Sequence, residues 1–263
     1  MFLAIDCGNT NIVFAIFNKD TPIVWRCQTD AKKTADEYAS WLMPLLNHAG
    51  ITFNDIDSAL ISSVVPNANF NLDRLCSKYF EVTAQFIKSP DINIDLNINL
   101  PNPETLGADR IVNSVHAKLN YQLPCVIIDF GTATTFDVID ADGTYCGGVI
   151  APGINLSLDA LHRAAATLPK VSIEKTDNVI CNTTPTAMQS GLYWGYVSMI
   201  EGIVKRMEDE LGAKPSVIAT GGLATIFADG TDIINVVDND LTLKGLLHIH
   251  NLNIKKKSIQ SVA

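Results

Sequence analysis

Two stretches of the chain place an aspartate two residues before a glycine, between runs of apolar residues. The first reads A-I-D-C-G-N-T-N-I-V-F-A-I-F, with Asp6 and Gly8; the second reads I-I-D-F-G-T-A-T-T-F-D-V-I-D, with Asp129 and Gly131. Glycine at such a turn lets the backbone bend sharply and approach a bulky anion. In the first turn Asn9, Thr10 and Asn11 offer donors to phosphate oxygens; in the second, Thr132, Thr134 and Thr135 offer hydroxyls. A carboxylate repels phosphate, so Asp6 needs a cation between them, and Mg2+ with its water shell suits that place. Two such turns fit a metal-bound polyphosphate clamped between two similar halves. Taken singly, the first also reads as a hairpin held by an Asx turn and the second as a threonine-rich β segment. The repetition of Asp-x-Gly favours the shared chemistry.

A third acidic group stands in G-A-D-R, Gly107–Arg110, which opens a helix after the approach Asn102-Pro103-Glu104-Thr105. A helix N-terminus attracts anions, and Arg110 can grip a carboxylate at two points. Asp109 is then placed to accept the proton of a substrate hydroxyl. The plainer alternative is an acid that balances the helix dipole. T-G-G-L, Thr220–Leu223, follows a buried strand, and its glycines would let a ring or a phosphate lie against the backbone. N-T-T-P-T, Asn182–Thr186, reads as a helix N-cap. Gly191 and Gly195, four apart in that helix, read as a close-packing stripe. The five histidines lack metal-ligand spacing. His248 and His250 would share one side of a strand, with no third ligand in view.

The elements that must carry these residues come in a repeated order. F-L-A-I-D, N-I-V-F-A-I-F and P-I-V-W-R-C read as an antiparallel meander. A helix from Thr34 to His48, the strand S-A-L-I-S-S-V-V, a helix from Asn69 to Tyr79 and the strand F-E-V-T-A-Q-F-I follow. A helix through Ala117 closes this half. The order restarts at Cys125 with three strands, then helices over Asn155–Ala166 and Thr186–Leu211, and the strands S-V-I-A-T-G and I-I-N-V-V. This is an internal duplication of an α/β unit, with domains expected at 1–118 and 119–263 and a cleft between them.

Composition narrows the function. A chain of 263 residues with 47% hydrophobic residues can bury a large core. Its net charge of −9 argues against nucleic-acid binding, and the only basic cluster, Lys255–Lys257, reads as a solvated tail. Six cysteines without a C-x-x-C pair read as core thiols in a reducing compartment. The N-terminus reads as a strand rather than a signal peptide, and no apolar run is long enough to span a membrane. A cytoplasmic protein is expected.

Taken together, D-C-G-N-T-N-I-V (6–13), G-A-D-R (107–110), D-F-G-T-A-T-T (129–135), G-G-V-I-A-P-G (147–153), N-T-T (182–184) and T-G-G-L (220–223) resemble the type III pantothenate kinases over nearly the whole chain. The resemblance implies an α/β fold of duplicated ribonuclease-H-like (actin-like ATPase) domains, each a mixed five-stranded sheet with helices. It implies ATP-dependent phosphorylation of pantothenate to 4′-phosphopantothenate for coenzyme A synthesis, by a homodimer. By the same resemblance Asp6, Cys7, Gly8, Asn9, Thr10, Asn11, Ile12 and Val13 cradle the ATP phosphates, and Thr132 contacts ATP. Gly107, Ala108, Asp109 and Arg110 hold pantothenate, with Asp109 as proton acceptor. Asp129 binds a monovalent cation, K+ or NH4+, and Thr184 contacts substrate. Leu100 stands where many members carry a substrate-contacting tyrosine, so that contact becomes apolar or comes from elsewhere. Two other classes remain open on the residues alone: a kinase for another small hydroxy acid, and a nucleotide-binding regulator without turnover.

Overall fold

The computed structural model describes residues 1–19, 21–164 and 168–260, with side chains through Ile254. In chain order the elements are strands β1 (Phe2–Cys7), β2 (Asn11–Phe17) and β3 (Pro22–Gln28), helix α1 (Ala35–His48), β4 (Ser58–Ser63), α2 (Pro66–Leu75), β5 (Ala84–Phe86), β6 (Asn97–Ile98) and α3 (Ala108–Asn120). Then come β7 (Cys125–Phe130), β8 (Ala133–Ile139), β9 (Thr144–Pro152), α4 (Ile154–Ala164), α5 (Thr184–Leu211), β10 (Ser216–Gly221), α6 (Ala224–Ala228), β11 (Val236–Val237) and α7 (Leu241–Gln260). The expected end of the helix at Ala166 falls outside the described residues, as do the side chains of Lys255–Lys257.

The chain forms two compact units, and neither is one continuous stretch. The first holds Met1–Asp95, Asn102–His116 and the segment from Thr242 on; the second holds Leu96–Pro101 and Ala117–Leu241. The crossing between His116 and Ala117 lies close to the division expected at 118. The C-terminal segment, however, returns to the first unit.

The first unit contains a sheet of order β3-β2-β1-β4-β5, with β1, β2 and β3 antiparallel and β1, β4 and β5 parallel. Strand alternation sends Leu3, Ile5, Ile12, Phe14 and Ile61 to one face, where they pack on Tyr38, Leu42 and Leu46 of α1 and Leu72 and Leu75 of α2. Helix α1 starts at a capping box: Thr34 accepts from the Glu37 N–H, and the Glu37 carboxylate accepts from the Thr34 N–H. Helix α7 joins this unit. His250 stacks on Phe2 with ring centroids 3.8 Å apart, and Asn253 exchanges hydrogen bonds with the Asn93 backbone, each 2.9 Å. His248 and His250 therefore lie on a helix, not on one side of a strand. Residues two apart on a helix do not share a face.

The second unit repeats the order as β9-β8-β7-β10-β11, and the burial pattern of β7 is that of β1 residue for residue. Here the expected five strands become six. The short β6 adds in parallel to β9, pairing Asn97 with Thr144 and Ile98 with Tyr145. Val126, Ile128 and Phe136 pack against Tyr193, Val197 and Ile200 of α5 and Phe227 of α6. Gly191 and Gly195 do not serve close packing within the chain, since a side chain at either would meet nothing within 4 Å.

Candidate active site

The first acidic turn is set by register. Asp6 lies opposite Val13 of β2 on one side and Ser62 of β4 on the other, near the carboxyl end of the central strand. Cys7 and Ile12 form the last pair, so residues 8–11 make the loop, and the Gly8 N–H donates to the Asn11 carbonyl at 3.0 Å. Thr29, just past β3, fastens the loop twice. Its hydroxyl donates to the Gly8 carbonyl at 2.6 Å, and its N–H donates to the Thr10 carbonyl at 2.9 Å. The side chains of Asn9, Thr10 and Asn11 are exposed, while Cys7 and Ile12 are buried. Cys7 and Ile12 can thus serve an anion only through their backbone. Burial, above all, pushes the Cys7 thiol up to about 11, which removes it as a nucleophile at neutral pH.

The second turn repeats this plan with a shorter loop. Asp129 lies opposite Thr135 of β8 and Thr220 of β10, and Phe130 pairs with Thr134, leaving residues 131–133 as the loop. The Gly153 N–H donates to the Thr132 carbonyl at 3.1 Å. Gly221 has φ +92, and a Cβ there would lie 2.6 Å from the Phe130 carbonyl and 2.8 Å from Asp129 Oδ1. Glycine is required at that position. The three threonines do not act alike. Thr134 is buried, with its hydroxyl 3.2 Å from that of Tyr196, which also donates to the Pro152 carbonyl. Thr135 donates to Asp137 Oδ2 at 3.2 Å. Thr132 is the exposed member, so the expectation of three hydroxyls open to a ligand is corrected to one.

The G-A-D-R segment and the turn before it belong to the first unit. Pro103–Thr105 forms a tight turn in which the Thr105 hydroxyl donates to the Asn102 carbonyl at 2.7 Å, and Leu106 anchors it in the interior. Helix α3 then begins at Ala108. Asp109 Oδ1 accepts from the Arg110 N–H at 2.8 Å, and the carboxylate folds over Gly107, where a side chain would collide with it. Burial raises the Asp109 pKa above its ordinary 3.8, against the lowering effects of the Arg110 N–H, the Arg110 charge and the Lys88 charge. The result is a half-buried carboxylate at a helix N-terminus whose proton affinity is increased.

Leu100 lies in the second unit, with Cδ2 3.6 Å from where a side chain at Gly147 would begin. Thr183, not Thr184, caps α5 by accepting from the Thr186 N–H. Thr184 is exposed in the first turn of the helix. Sequence reasoning missed Thr29 and Tyr196, which position the two loops from distant parts of the chain.

Residues 2–206 match the sequence profile of a family described as type III pantothenate kinase. The chain belongs to this family. A type III pantothenate kinase of Paramagnetospirillum magneticum is 54% identical over 96% of this chain and 98% of its own. One of Rhodospirillum rubrum is 52% identical over 96% and 99%. Among solved structures, a conserved Baf-family protein of Campylobacter jejuni superposes with a TM-score of 0.61 at 19% identity, over 96% of this chain and 99% of its own. The activator of 2-hydroxyisocaproyl-CoA dehydratase from Clostridium difficile, solved with bound ADPNP, gives 0.54 at 14% identity, over 100% and 98%. At those identities the likeness speaks to fold, and the fold is the actin-like α/β architecture.

For a type III pantothenate kinase the expected cations can be tested against the residues present. Among the described residues there is no group of three or more His, Cys, Asp or Glu side chains able to hold a metal ion. An ion kept in place by a single carboxylate, with waters and phosphate oxygens, fits that finding. Beside Asp6, on the same face of the sheet, Ser62 is fully buried and its hydroxyl has no hydrogen-bond partner. A hydrated Mg2+ would offer it one. Beside Gly221, Asp129 Oδ1 and the Phe130 carbonyl converge, both within 2.8 Å of where a side chain there would begin. Both are hard oxygen donors, as K+ requires.

Proposed function

We infer that this kinase performs the reaction of its family, ATP-dependent phosphorylation of the primary hydroxyl of pantothenate to give 4′-phosphopantothenate for coenzyme A biosynthesis. Membership of the type III pantothenate kinases, at about half identity over nearly the full chain, carries the reading.

The residue roles rest on the local geometry. The Gly8–Asn11 loop presents the exposed amide and hydroxyl side chains of Asn9, Thr10 and Asn11 to the ATP phosphates, with Gly8 shaping the turn through its own N–H bond to Asn11, and Thr132 adds a hydroxyl. Asp6, with Ser62 beside it, holds Mg2+ through water. Asp129 holds K+ or NH4+ with the Phe130 carbonyl. These cations, when bound, neutralise phosphate charge that no residue of the hairpin loops can. Gly107–Arg110 hold pantothenate, Arg110 by its carboxylate. Leu100 gives an apolar contact and Thr184 a polar one. Asp109 orients the attacking hydroxyl and accepts its proton as the bond to phosphorus forms. Its raised proton affinity supports that role. We also propose a homodimer, supported by the exposed Val149, Ile150 and Ile180 and the open Gly191–Gly195 stripe of the second unit. Six free thiols support a cytoplasmic setting.

A coupled assay of ADP release tests the reading. Release should require pantothenate and increase with K+. Asp109→Asn should lower turnover by about 100-fold or more. Release driven only by other hydroxy acids would reassign the substrate, and near-normal turnover of the variant would remove Asp109 as the base.

A further inference from the structure

The acceptor segment is fastened from outside itself. Lys88 follows β5, whose parallel pairing is continued by the Ile87 N–H donating to the Ile61 carbonyl. It therefore leaves the sheet at the carboxyl end of the parallel strands, the end at which β1 carries Asp6. In α/β sheets that edge is where ligands bind. Lys88 Nζ reaches the Glu104 carbonyl at 2.6 Å, across sixteen residues of sequence. That carbonyl lies in the Pro103–Thr105 turn, directly ahead of Gly107–Arg110. The contact is a charge-assisted hydrogen bond to backbone, strong for its kind. Loss of it would free a turn otherwise held by the short-range bonds from Thr105 to Asn102 and from Leu106 to Pro103.

We propose that Lys88 is a positioning residue of the acceptor site, tethering the Asn102–Leu106 turn so that Asp109 is held in place and keeping a positive charge within electrostatic reach of its carboxylate. The proposal rests on the reading of Asp109 as proton acceptor. The chemistry calls for such a charge. A phosphoryl group must approach an ionised carboxylate, and the two repel. Arg110 is the other cation acting on Asp109, and it is assigned to the carboxylate of pantothenate. Lys88 remains to offset the repulsion and to limit the rise that burial imposes on Asp109.

Lys88 is exposed, so its replacement should leave the fold intact. The experiment compares Lys88→Met, Lys88→Arg and Asp109→Asn in the full-length chain. Lys88→Met should lower kcat/KM for pantothenate about 10-fold, the equivalent of one charge-assisted bond, mainly through kcat. The acid limb of its pH profile should move to higher pH, because Asp109 loses a cation. Lys88→Arg should restore both. Hydrogen exchange at the Thr105 and Leu106 amides should quicken in Lys88→Met. An unmoved acid limb with normal kcat in Lys88→Met, or Lys88→Arg as impaired as Lys88→Met, would overturn the proposal. Full turnover in Asp109→Asn would instead strike the underlying assignment of the base.

Discussion

Asp109 shows how a helix N-terminus and burial compete over one proton. The Arg110 N–H and two cations favour the carboxylate, yet desolvation prevails and the pKa rises. As the proposed base the group must be ionised to accept a proton, so activity should be lost as pH falls through its folded value. The acid limb of kcat/KM should accordingly lie above 3.8, the ordinary value for aspartate. A limb at or below it would mean that burial does not govern this side chain. Stability runs the other way. A carboxylate raised on folding favours the native state at low pH, and that contribution is lost as pH climbs from the unfolded toward the folded value. Asp109→Asn should therefore keep or raise Tm at pH 7 while it loses turnover. The surroundings of Asp109 were legible in G-A-D-R because its neighbours in sequence, Gly107 and Arg110, are its neighbours in space. Thr29 and Lys88 were not. Their contacts reach across 21 and 16 residues, and only the folded sheet brings them to their loops.

At the scale of elements, α5 packs its apolar face on the second acidic hairpin and adds hydrogen bonds through the phenol of Tyr196. Tyr196 joins the Thr134 hydroxyl of β8 to the Pro152 carbonyl of β9, both at the mouth of the loop that carries Thr132. Burial raises its pKa, so the hydroxyl stays protonated at any working pH. Tyr196→Phe should cost about 1–3 kcal/mol by leaving the buried Thr134 hydroxyl, and the part-buried Pro152 carbonyl, short of a partner. It should raise the KM for ATP more than that for pantothenate, as steady-state kinetics beside a denaturation curve would show. Continuous apolar and β-branched runs made β1, β2, β7 and β8 readable from sequence, and helical spacing did so for α1 and a helical stretch for α5. The failures have the same origin. In α7 the run L-L-H-I-H-N-L-N-I alternates apolar and polar residues as a strand would, and packing against Phe2 and Asn93 overrides that pattern. β6 pairs over two residues, too few to leave a pattern.

For the whole molecule, duplication was the most legible property, because the two Asp-x-Gly hairpins sit at the same place in two sheets of the same order. Where the units divide was less so. Sequence shows a repeat boundary but not which unit an outlying helix covers. Besides its contacts with Phe2 and Asn93, α7 meets α3 directly: Thr242 donates to Asn113 Oδ1 at 2.7 Å, and at Gly245 a side chain would strike Val112. A fragment of residues 1–118 lacks that helix and should not unfold cooperatively in urea, whereas the same fragment joined by a flexible linker to residues 242–263 should regain a transition. A cooperative transition in the fragment alone would show that α7 is dispensable to the first unit.

That arrangement also reverses the order in which a ribosome can finish the job. Sheet β1–β5 emerges first, yet its closing helix is translated only after the whole of the second unit. The later-made half has nearly all its parts in one run, from Ala117 to Leu241, and its only early piece, Leu96–Pro101, is already waiting. The half begun second can mature first, and the nascent front end must stay open until α7 has been made.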